Sequence, residues 1–253
     1  MKAVLSIAWI AVRELIYEKV FYLLVSFCLL ALCLSLLVGQ LTYAEQAKLT
    51  LDFMLGGIEL SMVLFCIFMG ISLFHRELTL GSISMVLSKP ISRASFLLGK
   101  FCGQMVVQFA VMALMLLMTL LISYRFEENL SQVSIIQTVA LVFMEITVLT
   151  SLTYCFAVVA GGVTTAVAAL CLFLIGHSHE GFATNPKVNS TLLWKLTRAI
   201  TPNLDVFNMK TLASYGITIS ANEMGWAMVY ALCCTFFFML MAILFFNQRD
   251  ILT

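Results

Sequence analysis

Long apolar runs constrain the fold of this sequence more than any other feature that it has. Most of them reach the roughly 20 residues that a helix needs to cross a hydrocarbon core of about 30 Å. Backbone groups in lipid must pair within the chain, so such runs predict membrane-spanning helices. The six runs cover residues 20–42, 53–74, 101–123, 136–159, 162–177 and 226–246. We therefore expect an all-α membrane protein with six spanning helices in a single transmembrane domain, residues 1–253.

The composition excludes several classes of soluble protein. Hydrophobic residues make up 62% of the sequence and charged residues 11%, whereas soluble proteins average about 25% charged residues. No basic patch supports nucleic-acid binding. The eight cysteines lie in or beside the apolar runs and form no CxxC pair. We expect them to be packing residues and not disulfide partners.

The fifth run is too short for a straight crossing of the bilayer. Gly161-Gly162 before it leaves room only for a tight turn. Runs four and five therefore predict a helical hairpin whose second arm is tilted, broken or partly re-entrant.

Residues 1–19 precede the first run and mix charged with apolar side chains. Ser6, Arg13 and Tyr17 share one helical face, which predicts an amphipathic elbow helix at the membrane surface. Trp9 would be its interfacial anchor. The alternative is a plain extension of the first spanning helix.

Basic residues predict the orientation, because the short cytosolic flanks of membrane proteins carry most of their Lys and Arg residues. Here they concentrate in the N-terminal region, in the loop after the second run and at the C-terminus. The short loops of the other side hold only Lys48 and Arg125. We therefore place both termini in the cytosol and the long segment 178–225 outside.

This outer segment, 178–225, contains three further helix signals. Short helices could cover 190–200 and 203–215, the second with Gly216 as its stop. Ser-Ala-Asn-Glu at 220–223 has the spacing of a capping box that opens the last spanning helix. Such amphipathic pieces would lie on the outer leaflet or cover the exit of a pathway.

A polar and mostly basic segment, residues 75–100, separates the second and third runs. Lys89-Pro90 divides it, because proline disfavours a helical residue before it and suits a helix start. The apolar residues before this break recur at helical spacing, which favours a short cytosolic helix over 76–90. The element after it would begin near Ile91 and continue into the third run as one helix.

Three stretches of this segment carry a family resemblance. They are Arg76-Glu77-Leu-Thr-Leu-Gly81, Leu87-Ser-Lys89-Pro90-Ile-Ser-Arg93 and Phe96-Leu-Leu-Gly99-Lys100. In this order they resemble the loop between the second and third membrane helices in permease subunits of type 2 ABC exporters. The likeness is closest to the bacterial branch that includes the nitrous-oxide-reductase maturation permease. Less specific likenesses at 202–210 and 248–250 extend it over most of the chain.

In that family the loop is the coupling helix, which docks in a groove of a cytosolic ATPase. The resemblance implies a homodimer in the bacterial inner membrane, working with two copies of an ABC ATPase that bind ATP and Mg. It also leaves room for a periplasmic partner protein. The implied coupling residues are Arg76, Glu77, Leu80, Gly81, Ile83, Leu87, Lys89, Pro90 and Arg93.

Motifs of a catalytic subunit are absent from the sequence. It contains no HExxH for zinc, no GxSxG elbow and no GxxxxGK[ST] loop for a nucleotide phosphate. We therefore expect a chain without catalytic residues or a cofactor of its own, so that energy coupling requires a separate ATPase.

His177-Ser-His179-Glu180 places two imidazoles and a carboxylate at the end of the fifth run, a set that a transition metal could use. Two histidines at i and i+2 do not share a helix face, however, and the set lies where a polar loop begins. We favour a solvated loop and expect no metal site, with His177 and His179 as the candidates if one exists.

Glu59 and Glu145 are the two acidic residues inside the predicted spans, where a charge costs about 2.5–3.5 kcal/mol. They predict either a polar contact at a pathway or dimer seam, or buried partners of polar side chains on a neighbouring helix. Gln104 and Gln108, one turn apart in the third run, are plausible partners.

These features favour a permease subunit that couples ATP hydrolysis by a separate subunit to export, or to work on an outer partner. One alternative is a membrane scaffold that transmits force without moving a substrate. Another is an ion-coupled secondary transporter with Glu145 as its proton site, although neither paired halves nor matched broken helices support it.

Overall fold

Helices form all the regular structure in the part of the chain that the computed structural model describes, residues 2–40, 46–79, 92–124, 131–179 and 201–248. They are α1 (Lys2–Tyr17), α2 (Lys19–Gln40), α3 (Gln46–Thr79), α4 (Arg93–Ser123), α5 (Gln132–Val159), α6 (Gly162–Gly176), a 3-10 turn (Asp205–Phe207), α7 (Lys210–Ser214) and α8 (Ala221–Gln248). The predicted all-α class is thus confirmed.

Five of the described helices, α2, α3, α4, α5 and α8, are long and apolar enough to cross a membrane. The chain is therefore a multi-pass membrane protein. The fifth run forms α6, which has 15 residues and is about 22 Å long at about 1.5 Å per residue. A sixth full crossing by α6 stays a prediction, since this length falls short of a bilayer core of about 30 Å.

Polar side chains cap several of the helices. The hydroxyls of Ser92 and Ser131 accept bonds from backbone N–H groups in the first turns of α4 and α5. Ser220 and Glu223 form the predicted capping box of α8, with two reciprocal bonds of 3.3 Å. The element after the Lys89-Pro90 break is one continuous helix, α4, as expected.

Helices α3 and α5 form the centre of the bundle. They pack against each other and against α4, while α2 covers α3 and α8 covers α5. In their most apolar stretches 67% of the α3 residues and 61% of the α5 residues are buried, against 22% in α2 and in α8. A polar side chain in the middle of α3 or α5 is therefore enclosed by protein and needs a protein partner.

Helix α1 packs directly on α4 through two glycines. A Cβ atom added to Gly99 would lie 2.7 Å from the Ile7 Cβ, and one added to Gly103 would lie 2.6 Å from the Ala11 Cβ. Small residues four apart allow such a close approach of two helices. Trp9 points away from this contact and is 66% exposed. The position of α1 at a membrane surface stays a prediction.

The hairpin of α5 and α6 is present, with Gly161 as the first residue before α6. Fifteen residues of α5 lie between Glu145 and its end at Val159, both included, and α6 also has 15 residues. Because α6 runs back alongside α5, it ends level with Glu145. Helix α6 therefore stops halfway along α5.

Residues 201–220, which belong to the predicted outer segment, run along the other half of α5. The Leu204 N–H donates to the Gly176 carbonyl at the end of α6. Further on, the Ser134 hydroxyl donates to the Ile217 carbonyl, near the start of α5. The segment is thus packed on the bundle, and it fills the space that α6 leaves.

The helix expected over 203–215 is wrong in detail, because the chain forms two short pieces there. The Asn203 side chain accepts a bond from the Asp205 N–H, a local turn that competes with a longer helix. Gly216 does stop the second piece and has a positive φ of 70°. The helix predicted over 190–200 lies outside the described residues.

Candidate functional site: a buried charged cluster

Two carboxylates and an imidazole meet where α6 ends. Glu59 comes from α3, Glu145 from α5, and His177 is the residue that caps the C-terminus of α6. His177 Nε2 lies 3.0 Å from Glu59 Oε1, and His177 Nδ1 lies 3.4 Å from Glu145 Oε1. The imidazole therefore stands between the two carboxylates. We call Glu59, Glu145 and His177, with the lysine described next, the charged cluster.

Lys210 is the fourth member of the charged cluster. It is the first residue of α7, and its ammonium contacts Oε2 of Glu59. Burial lowers the pKa of Lys210 to about 8, since a desolvated ammonium loses its hydration. The Glu59 carboxylate opposes this effect by favouring the charged lysine. One carboxylate thus faces His177 through Oε1 and Lys210 through Oε2.

Several polar atoms of the charged cluster have no hydrogen bond despite their burial. Glu59 is 5% exposed and Glu145 is 1% exposed. Oε1 of Glu145 and both ring nitrogens of His177 lack a hydrogen-bond partner, because the angles at these short distances do not suit one. Such groups are rare in folded proteins and require a physical explanation.

A third carboxylate adds to the negative charge at this point. Asp205, in the 3-10 turn, acts electrostatically on both Glu145 and His177. The Phe173 ring packs against the imidazole, with a centroid distance of 4.8 Å, and thereby fixes its position. The arrangement can therefore attract a cation or a proton and hold it away from water.

The structure corrects the expectation of a solvated loop after the fifth run. The side chain of His177 is only 16% exposed, and His179 is buried, with its Nε2 3.0 Å from the Thr201 hydroxyl. The two imidazoles face different groups, as the i, i+2 spacing predicts. Glu180 lies outside the described residues.

Gln104 and Gln108 do not pair with the glutamates, contrary to the expectation. Gln104 Nε2 donates to the Cys66 carbonyl at 3.0 Å, and Gln108 Oε1 accepts from the Thr150 hydroxyl at 3.2 Å. These residues form a second polar layer between α3, α4 and α5. The contacts of all four polar residues predicted for a pathway thus lie within one copy of the chain. Their role in a pathway stays a prediction.

The predicted coupling residues are described only in part. Leu80, Gly81, Ile83, Leu87, Lys89 and Pro90 lie outside the described residues, and Arg76 and Glu77 belong to the last turns of α3. Arg93 opens α4, and its guanidinium donates to the carbonyls of Phe246 and Asn247 at 2.9 and 3.2 Å. It thereby binds the C-terminal end of α8, where a helix carries partial negative charge.

An aromatic junction surrounds this arginine contact. The Phe246 ring lies 5.8 Å from the Phe74 ring of α3 and 6.2 Å from the Phe96 ring of α4, centroid to centroid. Arg93 lies 5.9 Å from the centroid of Phe246. We call these four residues the α3–α4–α8 junction, because they join three helix ends on the side where segment 80–91 is attached.

Sequence reasoning missed Lys210 and Asp205 as site residues. No local pattern marks either of them, and Lys210 is 151 positions from its partner Glu59. It also missed the pair of Glu14 and Lys100, whose atoms are 2.6 Å apart between α1 and α4. The clearest signal was the cost of burying Glu59 and Glu145, which predicts partners without identifying them.

An apolar groove opens between α2 and α3. Its volume is about 610 Å³, and its walls include Phe27, Leu34, Phe53 and Leu60. A Cβ atom added to Gly56 would meet nothing within 4 Å, so the floor of the groove is open there. The groove can take an apolar molecule or a neighbouring helix.

Comparison with known proteins gives one family match. Residues 5–251 match a family model described as ABC-2 family transporter protein. No curated protein matches the sequence.

Proposed function

The chain belongs to the ABC-2 family of transporter proteins, and from this premise we propose that it is the permease subunit of an ATP-driven exporter. Two copies would work with two cytosolic ATPase subunits, which bind ATP and Mg. We place it in the bacterial inner membrane with both termini in the cytosol. From the motifs at 76–81, 87–93 and 96–100 we further propose that it is most similar to the branch that includes the nitrous-oxide-reductase maturation permease.

The observation that carries this proposal is the way in which segment 80–91 is attached to the helices on either side of it. Helix α3 continues past its apolar part, which ends at Phe74, as far as Thr79. Helix α4 begins at Arg93. A force applied to the segment between them would therefore act directly on a central helix of the bundle and on its neighbour.

The α3–α4–α8 junction would spread this force. Arg93 connects the start of α4 to the last carbonyls of α8, and Phe246 contacts aromatic rings of α3 and α4. Helix α1 would move with α4, since Gly99 and Gly103 hold the two in close contact. Closure of the ATPases would thus shift a block of helices against α2 and its groove, which is our candidate for the pathway or dimer seam.

We expect Ile83→Asp to abolish co-purification of the partner ATPase, because a carboxylate would enter the apolar face of the coupling helix. The matched control is Ile217→Asp, at an exposed position in the stretch that lies beside the start of α5. Both variants are expressed with the ATPase, extracted in mild detergent and compared by affinity pull-down. An unchanged yield of ATPase with Ile83→Asp would disprove the docking role.

Export and force transmission differ in what stimulates ATP hydrolysis. Proteoliposomes that contain the permease and its ATPase should show hydrolysis that rises with a transported solute and falls with Ile83→Asp. Stimulation by an outer partner protein alone, with no solute movement, would identify a scaffold and contradict export.

A further inference from the structure

From the geometry of the charged cluster we propose that Glu59, Glu145 and His177 bind a divalent transition-metal ion. The inference does not depend on the ATPase or on the direction of transport. It rests on the donor set, on the unsatisfied polar atoms and on the charge at the site.

The three residues offer a compact set of donor atoms. One ligand atom of each lies within 4.8 Å of the others. Zn²⁺ binds imidazole nitrogen and carboxylate oxygen at about 2.0–2.2 Å, so the ligands of one ion are about 3–4 Å apart. Only one ring nitrogen can bind a given ion, and a closure of the set by about 1 Å would complete the geometry.

The unsatisfied atoms point to a missing positive partner. Glu145 is 1% exposed and its Oε1 accepts no hydrogen bond, although it lies 3.4 Å from His177 Nδ1. Burial of a carboxylate oxygen without a hydrogen bond is costly. A metal ion between Glu145 and the imidazole would bind Oε1 of Glu145 and one ring nitrogen of His177, two atoms that make no hydrogen bond.

The charges at the site match a divalent ion. Glu59, Glu145 and Asp205 contribute three carboxylates, and Lys210 contributes one ammonium. When all four are ionised, two negative charges remain in excess. Lys210 contacts Oε2 of Glu59 and leaves Oε1 turned toward His177, as expected of a group that orients a metal-binding carboxylate.

The donor types select the class of metal. Imidazole nitrogen favours Zn²⁺, Fe²⁺, Co²⁺ and Ni²⁺, whereas Mg²⁺ and Ca²⁺ prefer sites made of oxygen alone. Cu⁺ prefers thiolates, and the cluster contains no cysteine. Of the two histidines in the His177-Ser-His179 motif, only His177 belongs to this set, because His179 faces Thr201.

The test uses the full chain in detergent, stripped of metal with a chelator. Zn²⁺ binding is measured by calorimetry and metal content, and Co²⁺ binding by its visible absorption. We expect about one ion per chain, without displacement by excess Mg²⁺. Glu145→Gln and His177→Gln should weaken binding at least about tenfold, the loss that even outer partners of a metal ligand cause.

Matched controls separate the cluster from other donors. His179→Gln and Glu223→Gln change the same residue types outside the cluster and should leave the affinity unchanged. A cobalt spectrum without thiolate charge-transfer bands would exclude the eight cysteines as ligands, and it is measured on the unmutated chain, so it holds even where a variant folds poorly. Absence of binding, thiolate bands, or equal losses in His177→Gln and His179→Gln would overturn the proposal.

Discussion

Glu59 shows how single residues make a charge tolerable inside this bundle. Its two oxygens face different cationic or potentially cationic groups, His177 and Lys210, which come from the end of α6 and from α7. Removing one member of a buried ion pair leaves the other charge buried without compensation. The stability of the α7 region should therefore depend on both members together.

We expect Glu59→Gln and Lys210→Met each to destabilise the protein by about 3–5 kcal/mol, the usual cost of an uncompensated buried charge. The double variant should be more stable than the sum of the two losses predicts. Reversible unfolding in detergent, followed by circular dichroism, would measure the cycle. Strictly additive losses would mean that the two residues do not form a stabilising pair.

At the level of single residues, the sequence predicts which buried charges are costly but not which side chains compensate them. Glu59 and Glu145 stand out because charges are costly in apolar helices. Their partner His177 stands where the sequence predicts the start of a solvated loop, and no local sequence motif marks Lys210. The partners could not be predicted because they depend on the packing of segments that are far apart in sequence.

Among the elements, α1 and α4 form the contact with the least free space. At Gly103 an added Cβ would lie 2.6 Å from the Ala11 Cβ and 2.7 Å from the Ala8 carbonyl oxygen. One of these neighbours is backbone, which cannot move aside as the tip of a flexible side chain can. The Glu14–Lys100 pair spans the same two helices and depends on this spacing.

We expect Gly103→Ala to destabilise the protein by about 1–3 kcal/mol, the usual cost of overpacking. Gly225→Ala in α8 is the matched control, because an added Cβ there meets nothing within 4 Å. That change should be neutral or stabilising by up to about 1 kcal/mol, since alanine is the better helix former. Thermal unfolding of both variants would show the contrast, and equal midpoints would contradict the close contact.

The elements themselves follow well from local signals. Apolar runs, the Gly161-Gly162 turn and the box of Ser220 and Glu223 predict α2 to α6 and α8 to within a few residues at most ends, although α3 and α4 extend further. The structure of residues 201–220 could not be predicted from local signals, because side chains from distant helices, such as Ser134, form hydrogen bonds with their backbone groups. The coupling helix over 76–90 stays a prediction.

The orientation of the whole molecule determines whether segment 80–91 can meet a cytosolic ATPase. This segment is attached on the side of the bundle where α8 ends and α4 begins. The 217–220 stretch lies at the opposite end, beside the start of α5. The two positions should therefore face different compartments.

We expect a cysteine at Ser88 to react with a membrane-impermeant maleimide only after the cells are opened. A cysteine at the exposed Thr218 should react in intact cells. The parent chain already has eight cysteines, so each signal is taken as the increase over that parent. Labelling of Ser88→Cys from outside would reverse the topology and remove the basis for ATPase docking.

The early end of α6 has a consequence for how the molecule opens. Residues 201–220, which run beside the other half of α5, contain only a 3-10 turn and the short α7 as described helices, whereas α5 has a full ladder of helical bonds. Deuterium will therefore enter residues 201–220 long before it enters α5, so this stretch will open by local unfolding before α5 does.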